Sequence, residues 1–437
     1  MATDLTRVRA YVEKHPEAVM TSLYHHVTDV DNLRLCFEGL DGSKAKGTDG
    51  VTKEEYGWNL EENLASLSKR LKDMGYRPKD RKRSFIPKVG SDKGRPLAIS
   101  AFEDKIVETA VKRVLEQIYE PMFLDSSYGY RESRSPHQCI DAIGKTIQHK
   151  RINHIVEADI RSFFDRLNWE WLDKFLRHRI GDERLLRLIK RMLMAGIMED
   201  GLTRASEEGA PQGSIVSPVL SNVYLHYVLD LWFKNRIKPY AKGEAYLFRF
   251  ADDFLCAFQF KEEAEAFERH LKDRLEGFNL EIAPEKTRRM EYGPFAVQNA
   301  KRRGDKTPSF TFLGLTYYCG KTRNGHFKVK RCTSVKKFRV KLREYTAWVR
   351  KVRGIIPTGE LMRKAKNKIQ GHLNYYAITD NYELCKKYHY WFTRITFKWL
   401  NRRSQRQSYN WEQFNQMLET IGWPKVKIKV NLCPFRT

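Results

Sequence analysis

The chain has 437 residues, of which 41% are hydrophobic, which is enough for more than one compact lobe. It contains no apolar run near the ~18 to 20 residues that span a bilayer, no apolar leader near Met1 and no C-x-x-C pair among its seven cysteines, so we expect a cytoplasmic protein without a membrane partner, disulfides or structural zinc. Its formal net charge is +26, which favours an anionic partner.

Short motifs define the predicted elements of the N-terminal third. Residues 1–30 are predicted to form a short helical extension. FIPKVGSDKGRPLAIS alternates around a Gly-Ser-Asp-Lys-Gly centre, which predicts a β-hairpin that carries Lys88 and Arg95. DKIVETAVKRVLEQIYEPMF has helical periodicity and predicts a helix that ends before Pro121.

The next predicted elements are a strand that ends in an acidic residue, two helices, and a glycine-containing loop that leads into a third helix. HIVEAD predicts a short strand that ends at Asp159. WEWLDKFLRHRI and ERLLRLIKRMLMAGI predict amphipathic helices. GAPQGSIVSPVL predicts a loop that leads into a helix, because Pro218 is tolerated in the first turn of a helix.

A second acidic site follows in YLFRFADDFLCAFQF, which predicts a hairpin with Asp252 and Asp253 at its tip. An Asp-Asp pair alone is also typical of a turn. If the strand that ends at Asp159 pairs beside this hairpin, Asp159 and Asp252 converge as two-metal phosphoryl transfer requires. Carboxylate oxygens without neighbouring Cys or His favour Mg²⁺ over zinc.

Beyond the hairpin, EEAEAFERHLKDRLEGF predicts a helix, NLEIAPEKTRRMEY and FTFLGLTYY predict strands, and 3,4-spaced apolar residues from Val335 onward predict helices. Residues 321–437 carry 28 basic and 6 acidic residues, a net charge of +22, which leaves +4 for the first 320. This net charge is larger than solubility alone requires, which favours a polyanion as partner. No single amphipathic segment concentrates the basic residues, so we expect a nucleic acid rather than a membrane.

The motif order resembles that of group II intron reverse transcriptases, the intron-encoded proteins also called maturases. The motifs are D-x-x-x-F-F-D after a strand, G-A-P-Q-G-S-I-V-S-P-x-L-S-N, aromatic-A-D-D, P-E-K-T and F-L-G, and the resemblance runs from about Asp31 to about Tyr390. It implies an α+β right-hand polymerase fold with an all-helical thumb. The implied parts are an N-terminal extension (1–30), fingers and a palm with an antiparallel sheet (31–320), a thumb or domain X (321–410) and a short basic tail (411–437).

By this resemblance the chain is an RNA-directed DNA polymerase that adds dNTPs to a primer 3′-OH, with splicing (maturase) activity for retrohoming. The implied partners are an RNA template, a DNA primer, dNTPs and group II intron RNA. Asp159 and Asp252 would ligate two Mg²⁺ ions, with Mn²⁺ as a substitute, and Asp253 would support the site.

The resemblance also implies a nucleotide site and a primer grip. Lys88 and Arg95 would bind the triphosphate, as a point charge and a planar fork do. Phe164 would block a ribose 2′-OH, although Phe163 and Phe164 also fit a hydrophobic core. The remaining assignments are Gln212 at the nucleotide sugar or templating pair, Gly213 for close backbone approach, Lys286 as general acid toward pyrophosphate, and Phe312, Leu313 and Gly314 as the primer grip.

The sequence departs from the family pattern at several points. Phe250 replaces a common tyrosine, Ala210 a common threonine and Ser214 a common glycine. The C-terminal part has no Cys/His-rich segment, so we expect a form that lacks the endonuclease domain. Two further readings remain open: a domesticated, defence- or repair-associated reverse transcriptase, and an RNA-binding maturase in which polymerisation is secondary.

Overall fold

The computed structural model describes residues 4–86, 94–199, 202–204, 208–403 and 408–432. Lys88, which the resemblance assigns to the nucleotide site, lies outside these residues. Within the described part of the chain, no helix has both the length and the apolar character needed to cross a membrane.

Helices make up most of the described chain. In chain order they are α1 (Leu5–Lys14), α2 (Tyr24–Thr28), α3 (Val30–Gly39), α4 (Lys53–Gly57), α5 (Leu60–Lys72), α6 (Phe102–Tyr119), α7 (Pro136–His149), α8 (Trp169–Arg177), α9 (Glu183–Met194), α10 (Ser217–Leu225), α11 (Lys261–Glu276), α12 (Ala296–Arg303), α13 (Val335–Val352), α14 (Thr358–Tyr376), α15 (Tyr382–Leu400) and α16 (Trp411–Thr420). Two π-helical segments, His226–Asp230 and Phe233–Ile237, prolong α10.

Three sheets accompany the helices. Their strands are β1 (Arg81–Ile86), β2 (Arg95–Ile99), β3 (His154–Asp159), β4 (Ile197–Glu199), β5 (Leu202–Arg204), β6 (Ala245–Phe250), β7 (Asp253–Phe258), β8 (Arg288–Glu291), β9 (Ser309–Phe312), β10 (Leu315–Lys321) and β11 (Phe327–Thr333). The sheet orders are β2-β1-β4-β5, β6-β7-β3-β8 and β11-β10-β9. Antiparallel pairing dominates, as in β1 with β2, where Ile86 lies opposite Arg95.

The chain forms two compact units. The first comprises Met1–Ser135, Val156–Cys256 and Glu262–Arg288, and the second comprises Pro136–Ile155, Ala257–Lys261 and Arg289–Thr437. The predicted division into fingers and palm, thumb and tail stays a prediction.

The core of the first unit surrounds α6, whose Ile106, Val107 and Val114 are fully buried. The helices α1, α2, α3, α9 and α10 all pack against it. Buried Asp182 joins two of the helices in this unit: its Oδ1 accepts from the backbone at the start of α9, and its Oδ2 accepts from Leu23 N and Tyr24 N, both at 2.7 Å. One carboxylate thus satisfies free N–H groups at two helix starts.

The second unit contains a helical bundle and a three-stranded sheet. Helices α13 and α14 both pack against α15, and α7 packs against β11. The Tyr345 and Phe392 rings stack at 3.5 Å between α13 and α15, and the Tyr345 hydroxyl lies 2.6 Å from Thr396 Oγ1. The predicted helices of this segment are therefore present as α13 to α15.

The structure divides two predicted strands differently. FTFLGLTYY forms two strands, β9 and β10, because Leu313 (φ 49°) and Gly314 (φ 76°) adopt left-handed backbone conformations and reverse the chain. In NLEIAPEKTRRMEY only Arg288–Glu291 belongs to a sheet, with one isolated bridge between Ile282 and Ile160 upstream. The mixture of helices and mainly antiparallel sheets is the α+β class that the sequence predicts.

Candidate active site

The two predicted metal ligands come from neighbouring strands of one sheet. Asp159 is the last residue of β3, and Asp252 lies in the two-residue link between β6 and β7, where β7 is next to β3. Both side chains line the same cavity of about 580 Å³ in the first unit. The predicted convergence of Asp159 and Asp252 on one space therefore holds geometrically, while their catalytic role stays a prediction.

Electrostatics at Asp252 indicate an anionic site. Burial raises the pKa of Asp252, and the charge of Asp159 raises it further, whereas Lys286 and Arg95 lower it. A carboxylate that is both buried and close to a second carboxylate favours a bound cation. Oxygen-rich sites of this kind are typical of hard divalent ions.

Lys286 and Asp253 complete the charged cluster. Lys286 Nζ donates a hydrogen bond to Asp159 Oδ2. Burial opposes the charge of Lys286, but this hydrogen bond and the three aspartates outweigh it and raise the pKa of the ammonium group. Asp253 is exposed at the start of β7 and contributes its charge to Lys286.

Phe164 lies beside the two aspartates. It follows β3 in a short 3₁₀ turn, Phe163–Asp165, in which Phe163 is buried and Phe164 is half-buried. Both rings line the cavity. Phe163 also packs on Tyr224 in the core, whereas Phe164 is the more exposed of the two. Phe164 O accepts a hydrogen bond from Ala210 N at 2.6 Å. This bond fixes the turn against the loop that contains the Pro-Gln-Gly motif, residues 211–213, which we call the PQG loop.

The PQG loop adds Gln212 and Gly213 to the cavity. Gln212 Nε2 donates to Asp165 Oδ1 at 3.2 Å, and Gln212 O accepts from Ala98 N at 2.7 Å. Gly213 has φ 109°, and a Cβ at this position would lie 3.0 Å from Ala98 O. Glycine is therefore required here both by the backbone conformation and by the close approach to β2.

Arg95 enters the cavity from the first residue of β2, where it is exposed. Its charge acts on Asp252 and on Tyr130, whose pKa is raised by burial and by Asp252 and lowered by Arg95. Tyr130 also lines the cavity and has φ 57°. Sequence reasoning missed Tyr130, because nothing in the local motif marks a loop tyrosine as part of a distant site.

Sequence reasoning also missed the buried support of the Ala-Asp-Asp link. The Arg249 guanidinium has no exposed surface and donates to both Asp230 oxygens at 2.8 and 2.6 Å. It also donates to Asn222 Oδ1 at 2.9 Å and to Ala251 O at 3.0 Å. Ala251 has φ 58°, and a Cβ on Gly129 would lie 2.2 Å from Ala251 N. The signal available in the sequence was the arginine inside the apolar strand YLFRF, because a buried charge requires a partner.

A second acidic group lies behind Asp159 on the same strand. Burial raises the pKa of Glu157 to about 7, with the charges of Asp253 and Asp159 acting in the same direction and Arg288 acting against them. Arg288 Nη2 lies 3.7 Å from Glu157 Oε2. The acidic cluster at Asp159 thus includes a second carboxyl group of β3, that of Glu157.

The predicted primer-grip residues lie in the second unit. Leu313 and Gly314 form the turn between β9 and β10, and Leu313 O accepts from Tyr375 Oη at 2.8 Å. A Cβ on Gly314 would lie 2.8 Å from the Tyr376 hydroxyl. Phe312 is buried at the end of β9. The turn is therefore held by α14, and its role as a primer grip stays a prediction.

The donor set of this cavity is compatible with magnesium. No group of three or more His, Cys, Asp or Glu side chains among the described residues is arranged to hold a metal ion. Magnesium does not require such a group, because it commonly binds one or two carboxylates and completes its shell with water and substrate phosphates. Asp159 and Asp252 on a shared cavity fit that mode of binding.

Comparisons with known proteins identify the family of the chain. The family model "Reverse transcriptase (RNA-dependent DNA polymerase)" matches residues 86–317, more than half of the chain. The chain is 34% identical over 234 residues to the group II intron-encoded protein LtrA of Lactococcus lactis subsp. cremoris, which covers 53% of this chain and 39% of that protein.

Two further relatives extend the comparison. Protein YkfC of Escherichia coli (strain K12) is 33% identical over 277 residues, 56% of this chain and 72% of that protein. Nuclear intron maturase 3, mitochondrial, of Arabidopsis thaliana is 29% identical over 139 residues, 31% of this chain and 19% of that protein. The chain spans about two fifths of the length of LtrA.

These matches confirm the predicted family and its α+β polymerase fold. The motifs that carried the resemblance, from β3 through the Ala-Asp-Asp link, all lie inside the matched residues 86–317. The chain belongs to the reverse transcriptase (RNA-dependent DNA polymerase) family.

Proposed function

We propose that the chain is an RNA-directed DNA polymerase that adds dNTPs to a primer 3′-OH on an RNA template. The observation that carries this proposal is the cavity of about 580 Å³, which Asp159, Asp252, Arg95, Phe164 and Gln212 line together. Its two carboxylates can hold metal ions and its guanidinium can bind phosphates, the electrostatic groups that phosphoryl transfer uses, and its aromatic ring offers a contact surface for a sugar.

Two Mg²⁺ ions would be held by Asp159 and Asp252, with Asp253 in support and Mn²⁺ as a substitute. When bound, such ions lower the pKa of the attacking hydroxyl and neutralise charge on the phosphates. The raised pKa of Asp252 supports this assignment, because a nearby cation would relieve the repulsion from Asp159.

The chain's own residues position the nucleotide. Arg95 offers a planar donor set to the triphosphate oxygens, a geometry that a guanidinium matches bidentately. Lys88, which lies outside the described residues, keeps its predicted role at the triphosphate. Gln212 contacts the sugar or the templating pair, and Gly213 allows the backbone to approach.

Lys286 is proposed to handle the leaving group. A bond forms between the primer 3′-oxygen and the α-phosphorus while the bond to pyrophosphate breaks, and the pyrophosphate gains negative charge. The 3′-hydroxyl gives its proton to water. Lys286 Nζ is protonated, in line with its raised pKa, and is proposed to give a proton to the departing pyrophosphate oxygen.

Phe164 is proposed to select deoxyribose. Its half-buried ring lies on the cavity wall beside Asp165 and is fixed by the bond from Ala210 N to Phe164 O. A rigid ring at this position excludes a 2′-OH by contact rather than by hydrogen bonding.

The second unit is proposed to bind the RNA. Phe312, Leu313 and Gly314 would form the primer grip, and the helices α13 to α15 would form the thumb. Most of the excess positive charge belongs to residues 321–437, and Tyr390 and Trp391 are about half-exposed on α15 beside Arg394. Because LtrA and the Arabidopsis protein carry names of intron-encoded and intron-maturase proteins, group II intron RNA is the proposed partner, with splicing assistance and retrohoming as the biological role.

Primer extension tests the proposal. Asp252→Asn is expected to abolish dNTP incorporation on an RNA template with Mg²⁺, because the carboxylate is needed in the cavity, while template-primer binding in a filter assay is retained. Asp173→Asn is the matched control, because Asp173 is an exposed helix residue paired with Arg177. Full extension by the Asp252→Asn protein would refute the site assignment.

A further inference from the structure

Helices α13, α14 and α15 of the second unit enclose a cavity of about 440 Å³ whose walls are mostly aromatic. Each helix contributes residues from one face, spaced three or four apart, as neighbours on a helix surface are. The aromatic residues that line it are Tyr345, Trp348, His372, Tyr375, Tyr376, Tyr388 and Phe392. The volume lies in the range of small-molecule pockets.

The rings are already stacked in pairs, so the walls are pre-formed. His372 lies parallel to Tyr388, with centroids 3.5 Å apart and planes at 6°. Tyr345 and Phe392 stack at 3.5 Å and 17°. Trp348 is half-buried at the edge, 5.7 Å from Tyr345. These paired rings are 1–9% exposed and form rigid walls, and the half-buried Trp348 and Tyr375 present the accessible aromatic surface. A planar ring can stack there at little cost in conformational entropy.

Gly371 lies at the edge of the cavity. It is an exposed residue of α14 that lines the cavity. A Cβ at this position would meet no heavy atom of the described residues within 4 Å, so packing does not require glycine. A larger side chain here would extend into the open space beside the aromatic walls.

His372 contributes its ring to the cavity wall. It is 9% exposed, and its Nε2 is buried without a hydrogen-bond partner among the described residues. Burial lowers the pKa of His372 to about 3, with Lys341 acting in the same direction, so the imidazole is neutral at physiological pH. The ring is therefore an uncharged aromatic surface.

Charge at the mouth favours an anionic ligand. Lys341 and Lys368 are exposed residues of the lining, and Lys368 Nζ lies 4.7 Å from the centroid of Trp348. Glu344 also lines the cavity and lies 3.2 Å from Lys341, but an exposed pair of this kind is worth little and is easily exchanged for a phosphate contact. The surrounding segment carries the +22 charge.

We propose that this cavity, the thumb pocket, receives a single unpaired nucleobase of bound RNA, stacked on Trp348 and Tyr375 against the walls formed by Tyr388 and His372, with an adjacent phosphate on Lys341 and Lys368. Stacking on aromatic side chains is the usual way in which unpaired bases are held. The inference rests on the proposed function only in taking RNA as the partner. It does not involve the catalytic cavity.

The test uses the full chain and a single-stranded oligoribonucleotide that contains one 2-aminopurine, without dNTPs or divalent ions. Stacking quenches the fluorescence of 2-aminopurine. Gly371→Leu fills the pocket with a good helix former and is expected to weaken the quenched complex about 5- to 140-fold, the loss associated with one stacked base. Gly359→Leu is the matched control, because Gly359 is an exposed glycine of the same helix that also has no neighbour within 4 Å and does not line the pocket.

A second pair of variants guards against misfolding, which circular dichroism would detect. Trp348→Leu removes a wall of the pocket, whereas Trp58→Leu removes an exposed tryptophan of the first unit that does not line the pocket. We expect only the first to weaken quenching. AMP should compete with the oligonucleotide, and ribose 5-phosphate at the same concentration should not.

Equal quenching in parent, Gly371→Leu and Trp348→Leu proteins would overturn the proposal, as would equal losses in each variant and its control. Competition by ribose 5-phosphate as strong as that by AMP would show that phosphate alone binds. This outcome is distinguishable from a failure of the polymerase assignment. The polymerase assignment is tested by dNTP incorporation in the Asp252→Asn protein, whereas the quenching assay contains neither dNTPs nor Mg²⁺.

Discussion

The buried pair of Arg249 and Asp230 gives the sharpest prediction about the support of the candidate active site. Both side chains have zero exposure, and the guanidinium makes its bonds to Asp230 at 2.6 and 2.8 Å. Asp230→Asn keeps the shape of the side chain but leaves Arg249 as a buried charge without its counter-ion. Breaking a buried pair in this way costs about 3–5 kcal/mol.

The expected shift in melting temperature follows from that free energy. A domain of about 150–250 residues loses about 2–4 °C per kcal/mol, so the transition of the first unit should fall by about 6–20 °C in scanning calorimetry. Asp173→Asn is the matched control: Arg177 Nε lies 2.6 Å from Asp173 Oδ2, the same distance as in the buried pair, but Asp173 is 45% exposed. An exposed pair contributes about 0–1 kcal/mol.

A double variant separates stability from positioning. Asp230→Leu combined with Arg249→Met removes both charges and should recover most of the lost stability, because an apolar replacement of a buried pair is often neutral. It does not restore the donor to Ala251 O, so primer extension should stay below that of the parent. A melting temperature of Asp230→Asn within 2 °C of that of Asp173→Asn would refute this reasoning, as would full activity of the double variant.

The remaining predictions concern selectivity, salt and pH. Phe164→Ala should admit ribonucleotides, measured as the ratio of rNTP to dNTP incorporation, and Phe163→Leu should leave that ratio unchanged; an unchanged ratio in the first variant would assign Phe164 to the core. Affinity for template-primer should fall steeply with salt, because each phosphate contact adds about 0.7–0.9 to the slope of log K against log salt, and a flat profile would contradict RNA binding by residues 321–437. Burial lowers the pKa of His226 from 6.5 to about 4, so the unfolded chain binds more protons in that window and stability should be lost as pH falls from about 6.5 toward 4. His226→Phe should flatten this acid limb in calorimetric melts, whereas an unchanged limb would show that other groups cause it.

Local sequence predicted most elements that carry the candidate site. The strand before Asp159, the helix after Pro218 and the hairpin around Asp252 all follow from periodicity and turn residues, which depend on a few neighbouring positions. The pairing of β3 next to β7 was a conditional prediction, since strand order depends on contacts between residues about 100 positions apart. The turn at Leu313 and Gly314 was missed because a left-handed leucine has no local signature.

The sequence by itself determined the chemistry of this protein: which strands end in carboxylates, where the cationic and aromatic groups lie along the chain, and that positive charge is concentrated after residue 320. Only the tertiary structure decided which of these groups share a space. It joined Arg249 to Asp230 beside Ala251, placed Tyr130 on the candidate active-site cavity and left an aromatic pocket at Gly371. The physical reason is that residue type and spacing fix local backbone preference, whereas burial, pKa shifts and cavities arise from packing between distant segments.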